Sequence, residues 1–175
     1  MKSGARKSKF ARESYTTMTE MVLPNDTNTL NNLMGGRMLH WIDVAGAIAA
    51  QKHCNHVVVT ASVDNVSFKE PIKLGNIVTL QAKVTRAFNA SMEVHVEVYA
   101  EDIPNETRKK THEAFYTYVA IDGKGKPTSI PEIVAETAEE VAFYDTALRR
   151  RQLLLLLAGR LKPEDAGDLK TFFGF

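Results

Sequence analysis

A chain of 175 residues with one cysteine, one tryptophan and six prolines is short of rigid fixtures. Cys54 has no second cysteine to oxidise with, which excludes an internal disulfide and a zinc site built on cysteines and suits a reducing, cytoplasmic setting. His53 and His56 flank it, but no further ligand or orienting group clusters there, so it reads as a small residue at a helix-to-strand junction. The leucine run at 153–157 falls far short of the ~20 apolar residues of a membrane span. Residues 1–14 are rich in Lys and Arg but lack the apolar stretch of a secretory signal, and secretion is not expected. A net charge of +1 gives no global electrostatic reason for a nucleic-acid or membrane partner. Repeats, low-complexity segments and a Pro/Gly-rich boundary are also missing. The expected organisation is a disordered basic arm over 1–12, one domain over 13–134 and a helical extension over 135–175.

What is present is hydrophobic periodicity. Over 36–53, Met38, Trp41, Ile42, Ala45, Ile48 and Ala49 recur at spacings of three and four, which predicts a helix of about 27 Å with an apolar stripe. Leu39, Asp43, Gly46, Ala47 and Ala50 form a neighbouring stripe, in which small residues surround one acid. An acid on so apolar a helix is expected to be buried, and must then be paired, hydrogen-bonded or used.

Beyond the helix the period drops to two. Val57, Val59, Ala61 and Val63 alternate with polar residues, after which the apolar set shifts to Val66 and Phe68, which predicts a bulge near Asp64 and Asn65. Following a turn at 71–76, Val78, Leu80, Ala82, Val84 and Phe88 mark a second strand, and Met92, Val94, Val96 and Val98 a third, with Asn89-Ala90-Ser91 as the hairpin turn between them. A fourth strand is expected over about 108–121, an initial strand within 13–23, and a late helix over 135–161. Long antiparallel strands with one apolar face need a cover, and the economical arrangement curls the sheet round the 36–53 helix. The fold class is therefore α+β.

Chemistry concentrates around that helix. Gly35 and Gly36 open it, where unpaired N–H groups and the helix dipole favour an oxygen that develops negative charge. Asp43 is a candidate base or nucleophile. His40, three residues earlier, could form a dyad with it. Arg149 and Arg150, with Arg151, Arg160 and Lys162, could meet phosphates or solvate a helix face. No metal or cofactor is expected.

The segments PNDTNTLNNLMGGRMLHWIDVAGAIAAQKH, VVVTASVDNVSFKEPIKLGNIVTLQAKV and ASMEVHVEVYAED together resemble the hot-dog-fold acyl-CoA thioesterases of the cytosolic acyl-CoA hydrolase type, over about 13–121. The resemblance implies an antiparallel sheet wrapped round a long central helix, with the late helix as an extra C-terminal element. It implies hydrolysis of acyl-CoA to free coenzyme A and a carboxylic acid, coenzyme A being part of the substrate. It further implies a homo-oligomer, a dimer at least and a hexamer as a trimer of dimers. The family's catalytic Asn and Asp match Asn28 and Asp43, fifteen positions apart with Gly35-Gly36 between them. Asn28 would position water or the thioester carbonyl, and each site would join Asn28 of one protomer to Asp43 of its partner. Members usually show Arg-Thr-Ser-Met-Glu-Val where this chain has Asn89-Ala90-Ser91-Met92-Glu93-Val94, so of that run's first three residues only Ser91 is retained, as a candidate coenzyme A contact beside Arg149 and Arg150. The alternative on the same fold is a non-catalytic acyl-CoA-binding sensor.

Overall fold

The residues with period 3.6 form one long helix, α1 (Gly35–Cys54), closed by Asn55 in the left-handed region. Its buried face carries Met38, Trp41, Ile42, Ala45, Ala49 and Ala50. The computed structural model describes residues 6–64, 66 and 70–174, which fall into two units, Met1–Val134 and Ala135–Phe175.

In the first unit the two-residue period produces β3 (Val57–Asp64), β4 (Ile77–Ala87), β5 (Ser91–Asp102) and β6 (Thr107–Ile121), which join β2 (Thr16–Met21) in a five-stranded antiparallel sheet of order β2-β4-β5-β6-β3. The sheet's inner face presents Val78, Leu80, Ala82 and Val84 from β4, Met92, Val94, Val96 and Val98 from β5, and Ala114, Tyr116, Tyr118 and Ala120 from β6, all buried. α1 packs against all five strands. Each strand turns alternate side chains to this face, so the apolar set of three strands and the stripe of α1 fuse into one core.

Several boundaries differ from expectation. The bulge lies between Thr60 and Ser62, earlier than the phase slip suggests; Asn65 and Phe68 lie outside the described residues. Val57, Val59 and Val63 are not covered by their own chain, being 63%, 46% and 49% exposed on an edge strand. The arm expected to be disordered contains β1 (Ser8–Phe10), paired in parallel with β7 (Glu132–Val134), followed by a 3-10 turn at Ala11–Ser14. Two three-residue strands more than a hundred positions apart carry no periodic signal of their own. The described part of the arm is thus tied down by backbone hydrogen bonds, among them Glu132 N to Lys7 O at 2.8 Å. Met1–Ala5 lies outside the described residues.

In the second unit the late helix is α2 (Ala138–Leu157), and a 3-10 turn (Pro163–Asp165) and a short helix α3 (Gly167–Phe173) follow it. Thr137 caps α2. Its hydroxyl accepts from Glu140 N at 3.2 Å while Glu140 Oε2 accepts from Thr137 N at 3.4 Å. No described helix is long and apolar enough to cross a membrane.

Candidate active site

The polar run before α1 is organised by an acid that the periodicity does not mark. Asp26, 4% exposed, accepts from Leu23 N through Oδ2 at 3.0 Å and from Arg37 Nε through Oδ1 at 2.7 Å. Its carbonyl takes Met34 N at 2.9 Å. One residue therefore ties both ends of the loop to the first turn of α1. Within the loop, Asn28 Oδ1 accepts from Leu30 N at 2.9 Å and Asn32 N at 3.2 Å, and Asn31 takes a φ of 57°, a conformation that asparagine tolerates better than most residues. Two backbone donors on one oxygen fix the orientation of the Asn28 amide. Its Nδ2 then has no hydrogen-bond partner among the described residues and remains free to donate. Asn28 borders a cavity of about 240 Å³ together with Leu33, Met38, Ile72 and His112.

Gly35 and Gly36 follow. The first intrahelical bonds run from Arg37 N and Met38 N to Met34 O, which leaves the two glycine amides among the unpaired donors of a helix start. A Cβ built on Gly36 would meet nothing within 4 Å, so the space over this backbone is open.

Asp43 lies midway along α1. It is not swallowed by the core: its side chain is half-buried at the margin, beside edge strand β3. Oδ1 accepts from the Thr60 hydroxyl at 2.6 Å and lies 3.2 Å from the Tyr118 hydroxyl, which also reaches the Asp43 carbonyl at 2.9 Å. His40 is exposed, and the carboxylate's partners are these two hydroxyls rather than His40. Oδ2 has no partner among the described residues. Burial, with the charge of Asp43 adding to it, pushes the Tyr116 phenol up to about 12 and the Tyr118 phenol higher still, so both stay protonated. Thr60 and Tyr118 were not singled out in the sequence. Neither carries a motif, and they lie 17 and 75 positions from Asp43.

The remaining candidates are dispersed. Ser91 is the buried first residue of β5, its carbonyl accepting from Phe88 N at 2.8 Å. Arg149 pairs with Asp168 at 3.4 Å and stacks on Phe172, while Arg150 donates to Thr146 Oγ1 at 2.7 Å and Phe143 O at 3.1 Å, all within the second unit. Cys54 is buried, its thiol pushed up by burial and directed at the His56 carbonyl, and His53 Nε2 meets Pro131 O at 2.9 Å, so no Cys-His pair forms. Among the described residues one group resembles a metal-ligand set, His95, Glu97 and Glu113. Lys110 Nζ already sits there, 2.5 Å from Glu97 and 3.2 Å from Glu113.

A long helix lying against all five strands of an antiparallel sheet is the arrangement of the hot-dog fold. The model of the thioesterase superfamily matches residues 30–106, and the chain belongs to that family. Its relatives narrow the class further. It is 40% identical, over 81% of its length and 83% of the relative's, to the uncharacterised acyl-CoA thioester hydrolase YkhA of Bacillus subtilis. Among solved structures, a hexameric acyl-CoA thioesterase in its apo form superposes with a TM-score of 0.84 at 39% identity, covering 87% of this chain and 97% of the other. The acyl-CoA hydrolase of Staphylococcus aureus, in complex with butyryl coenzyme A, coenzyme A and coenzyme A disulfide, superposes with a TM-score of 0.80 at 36% identity, covering 87% and 95%. Variants of the Staphylococcus aureus enzyme with alanine for Asp43, Asn28 or Thr60 are also among the matching structures, and the present chain has Asp, Asn and Thr at those same numbers.

Proposed function

We propose that the protein hydrolyses acyl-CoA thioesters, with Asp43 as general base and Asn28 as a donor to the thioester carbonyl. The observation that carries this is the division of labour between the two oxygens of Asp43: Oδ1 faces two hydroxyl donors and Oδ2 is open. Water attacks the thioester carbonyl carbon and gives its proton to Oδ2. The carbonyl oxygen becomes an oxyanion and accepts hydrogen bonds from Asn28 Nδ2 and the Gly36 N–H, supported by the positive end of α1. Collapse of the tetrahedral intermediate breaks the C–S bond. The leaving thiolate of coenzyme A takes the proton back, and the acid departs.

In one chain Asn28 and Asp43 share no hydrogen-bond partner, and the cavity bordered by Asn28 does not include Asp43. Val63 on the α1 side of edge strand β3, with the half-exposed Val44 and exposed Ile48 of α1, leaves apolar surface at the margin where Asp43 lies, and the outward Val57 and Val59 extend along the same free sheet edge. A second copy of the chain on this margin would bury it and bring its own Asn28 to Asp43. The working unit is then a homodimer, and a hexamer arranged as a trimer of dimers accords with the hexameric neighbour. The buried single cysteine suits the reducing cytoplasm. Ser91 is retained as a coenzyme A contact, whereas the local partners of Arg149 and Arg150 leave them weaker candidates for phosphate binding.

The test is thiol release from a series of acyl-CoA substrates by wild type and Asp43→Asn. The replacement is nearly isosteric, so oligomeric state and melting temperature should hold while kcat falls by about a thousandfold. A variant with near wild-type kcat would make Asp43 a structural acid and remove this reading. Single turnover in ¹⁸O-water tests for a nucleophile: label entering the Asp43 carboxyl, with the first acid released unlabelled, requires an anhydride opened at Asp43, whereas a base never takes up label.

A further inference from the structure

Gly46 lies on α1 three residues beyond Asp43, facing β6. A Cβ built there would sit 2.4 Å from the Tyr118 hydroxyl and 3.0 Å from the ring carbon that bears it. No side chain but hydrogen fits unless Tyr118 moves. The glycine opens the space through which the hydroxyl reaches Asp43, 2.9 Å from its carbonyl and 3.2 Å from Oδ1.

From this geometry we infer that Tyr118 and Gly46 form a positioning device for Asp43: the hydroxyl, admitted by the glycine, clamps the carboxylate against the backbone of its own residue and holds Oδ2 outward as the reacting oxygen. This rests on the assignment of Asp43 as the base. A carbonyl and a carboxylate are both acceptors, so the phenol is the donor toward either, and its single proton ties the side chain and main chain of one residue together. Thr60 holds Oδ1 from β3 and Tyr118 from β6, so the carboxylate is gripped from two strands and cannot exchange its oxygens freely. Pre-arranged geometry of this kind accelerates the reaction without touching substrate. Tyr118 is fully buried, so its hydroxyl is held in place by the packed interior. The titratable groups facing the carboxylate are Tyr118 and Tyr116 from β6, with His40 three residues back on α1.

Tyr118→Phe removes only the hydroxyl. The expected result is kcat lower by about tenfold with KM within twofold, and an acid limb of the kcat–pH profile displaced to higher pH, because the ionised carboxylate has lost a donor. A merely structural tyrosine would lower the melting temperature and leave that limb in place. Gly46→Ala keeps every functional group and displaces the hydroxyl, so it should reproduce both effects, and its cost should shrink several-fold when made on top of Tyr118→Phe. It carries the test alone should Tyr118→Phe fail to fold. Asp43→Asn, assayed in parallel, separates the two failures. If Asp43→Asn is inactive while both variants keep wild-type kcat and acid limb, the positioning role is wrong and the base assignment stands. If Asp43→Asn remains active, both are wrong.

Discussion

The two halves of the proposed site are built by opposite means. Asn28 sits on a loop, and what holds it is mainly the loop's own backbone, two amides on Oδ1 and a left-handed Asn31, with the Asp26–Arg37 side-chain pair as a brace to α1. Asp43 sits on a rigid helix wedged against five strands, and what holds it is side chains, the hydroxyls of Thr60 and Tyr118. The loop half leaves a donor free and the helix half leaves an acceptor free. One can take the charge that develops on a carbonyl oxygen, and the other can take a proton from water. A loop held by its own turns can be adjusted residue by residue, whereas a carboxylate that must present one oxygen benefits from the stiffest element in the molecule.

The contrast can be broken at several points. Asn28→Ala deletes the free donor and should lower kcat by about a hundredfold, the usual loss of one oxyanion donor, with little effect on the melting temperature. Should KM rise and kcat hold, Asn28 binds substrate without assisting the transition state. Thr60→Val keeps the shape and removes one hydroxyl from Asp43; a loss of about tenfold in kcat is expected, measured with steady-state thiol release.

Asp26→Ala acts on stability instead. It leaves Leu23 N and Arg37 without their acceptor, and chemical denaturation should read a loss of about 1 kcal/mol, largely from the part-buried amide since Arg37 is half-exposed. Loop amides over 27–34 should lose hydrogen-exchange protection first.

A further effect is one of pH. Burial lowers the pKa of His112 in the wall of the loop-half cavity, and of His53 and His95 elsewhere, the last against the opposing pull of Glu113. An unfolded histidine takes up its proton near 6.5, the folded ones only lower. Stability is therefore full above about 6.5 and falls as pH drops from there toward the folded values, by up to about 1.4 kcal/mol per pH unit for each proton. Denaturation at pH 7.5 and 5.5 should show this slope, and His112→Phe should remove its share. The tyrosines that face Asp43 do not titrate in this window.

The legibility of this molecule follows the range of its interactions. The central helix and four long strands could be read because each repeats its own period many times. Asp43, Gly35 and Gly36 stood out as candidates on the helix itself, and Asn28 was added by resemblance, since all four lie within one continuous stretch. Thr60 and Tyr118 were invisible because their meaning lies in contact with Asp43 across the fold. Gly46 was visible only as a small residue near an acid, since its reason is a hydroxyl on a strand 72 positions away. The expectation of a core-buried Asp43 failed because periodicity locates a face but not its rim, where β3 ends the sheet. The β1–β7 pairing escaped because three residues are too few to show a period.

The central claim is that the free donor of one chain meets the free acceptor of another, and subunit mixing tests it most directly. Asn28→Ala and Asp43→Ala proteins should each be nearly inactive. Mixed in equal amounts with verified subunit exchange, a quarter of the sites combine an intact Asn28 with an intact Asp43 from the partner, so thiol release should recover to about a quarter of wild type whatever the oligomer size. If the two residues act within one chain, every site stays broken, and no recovery after exchange would contradict the account.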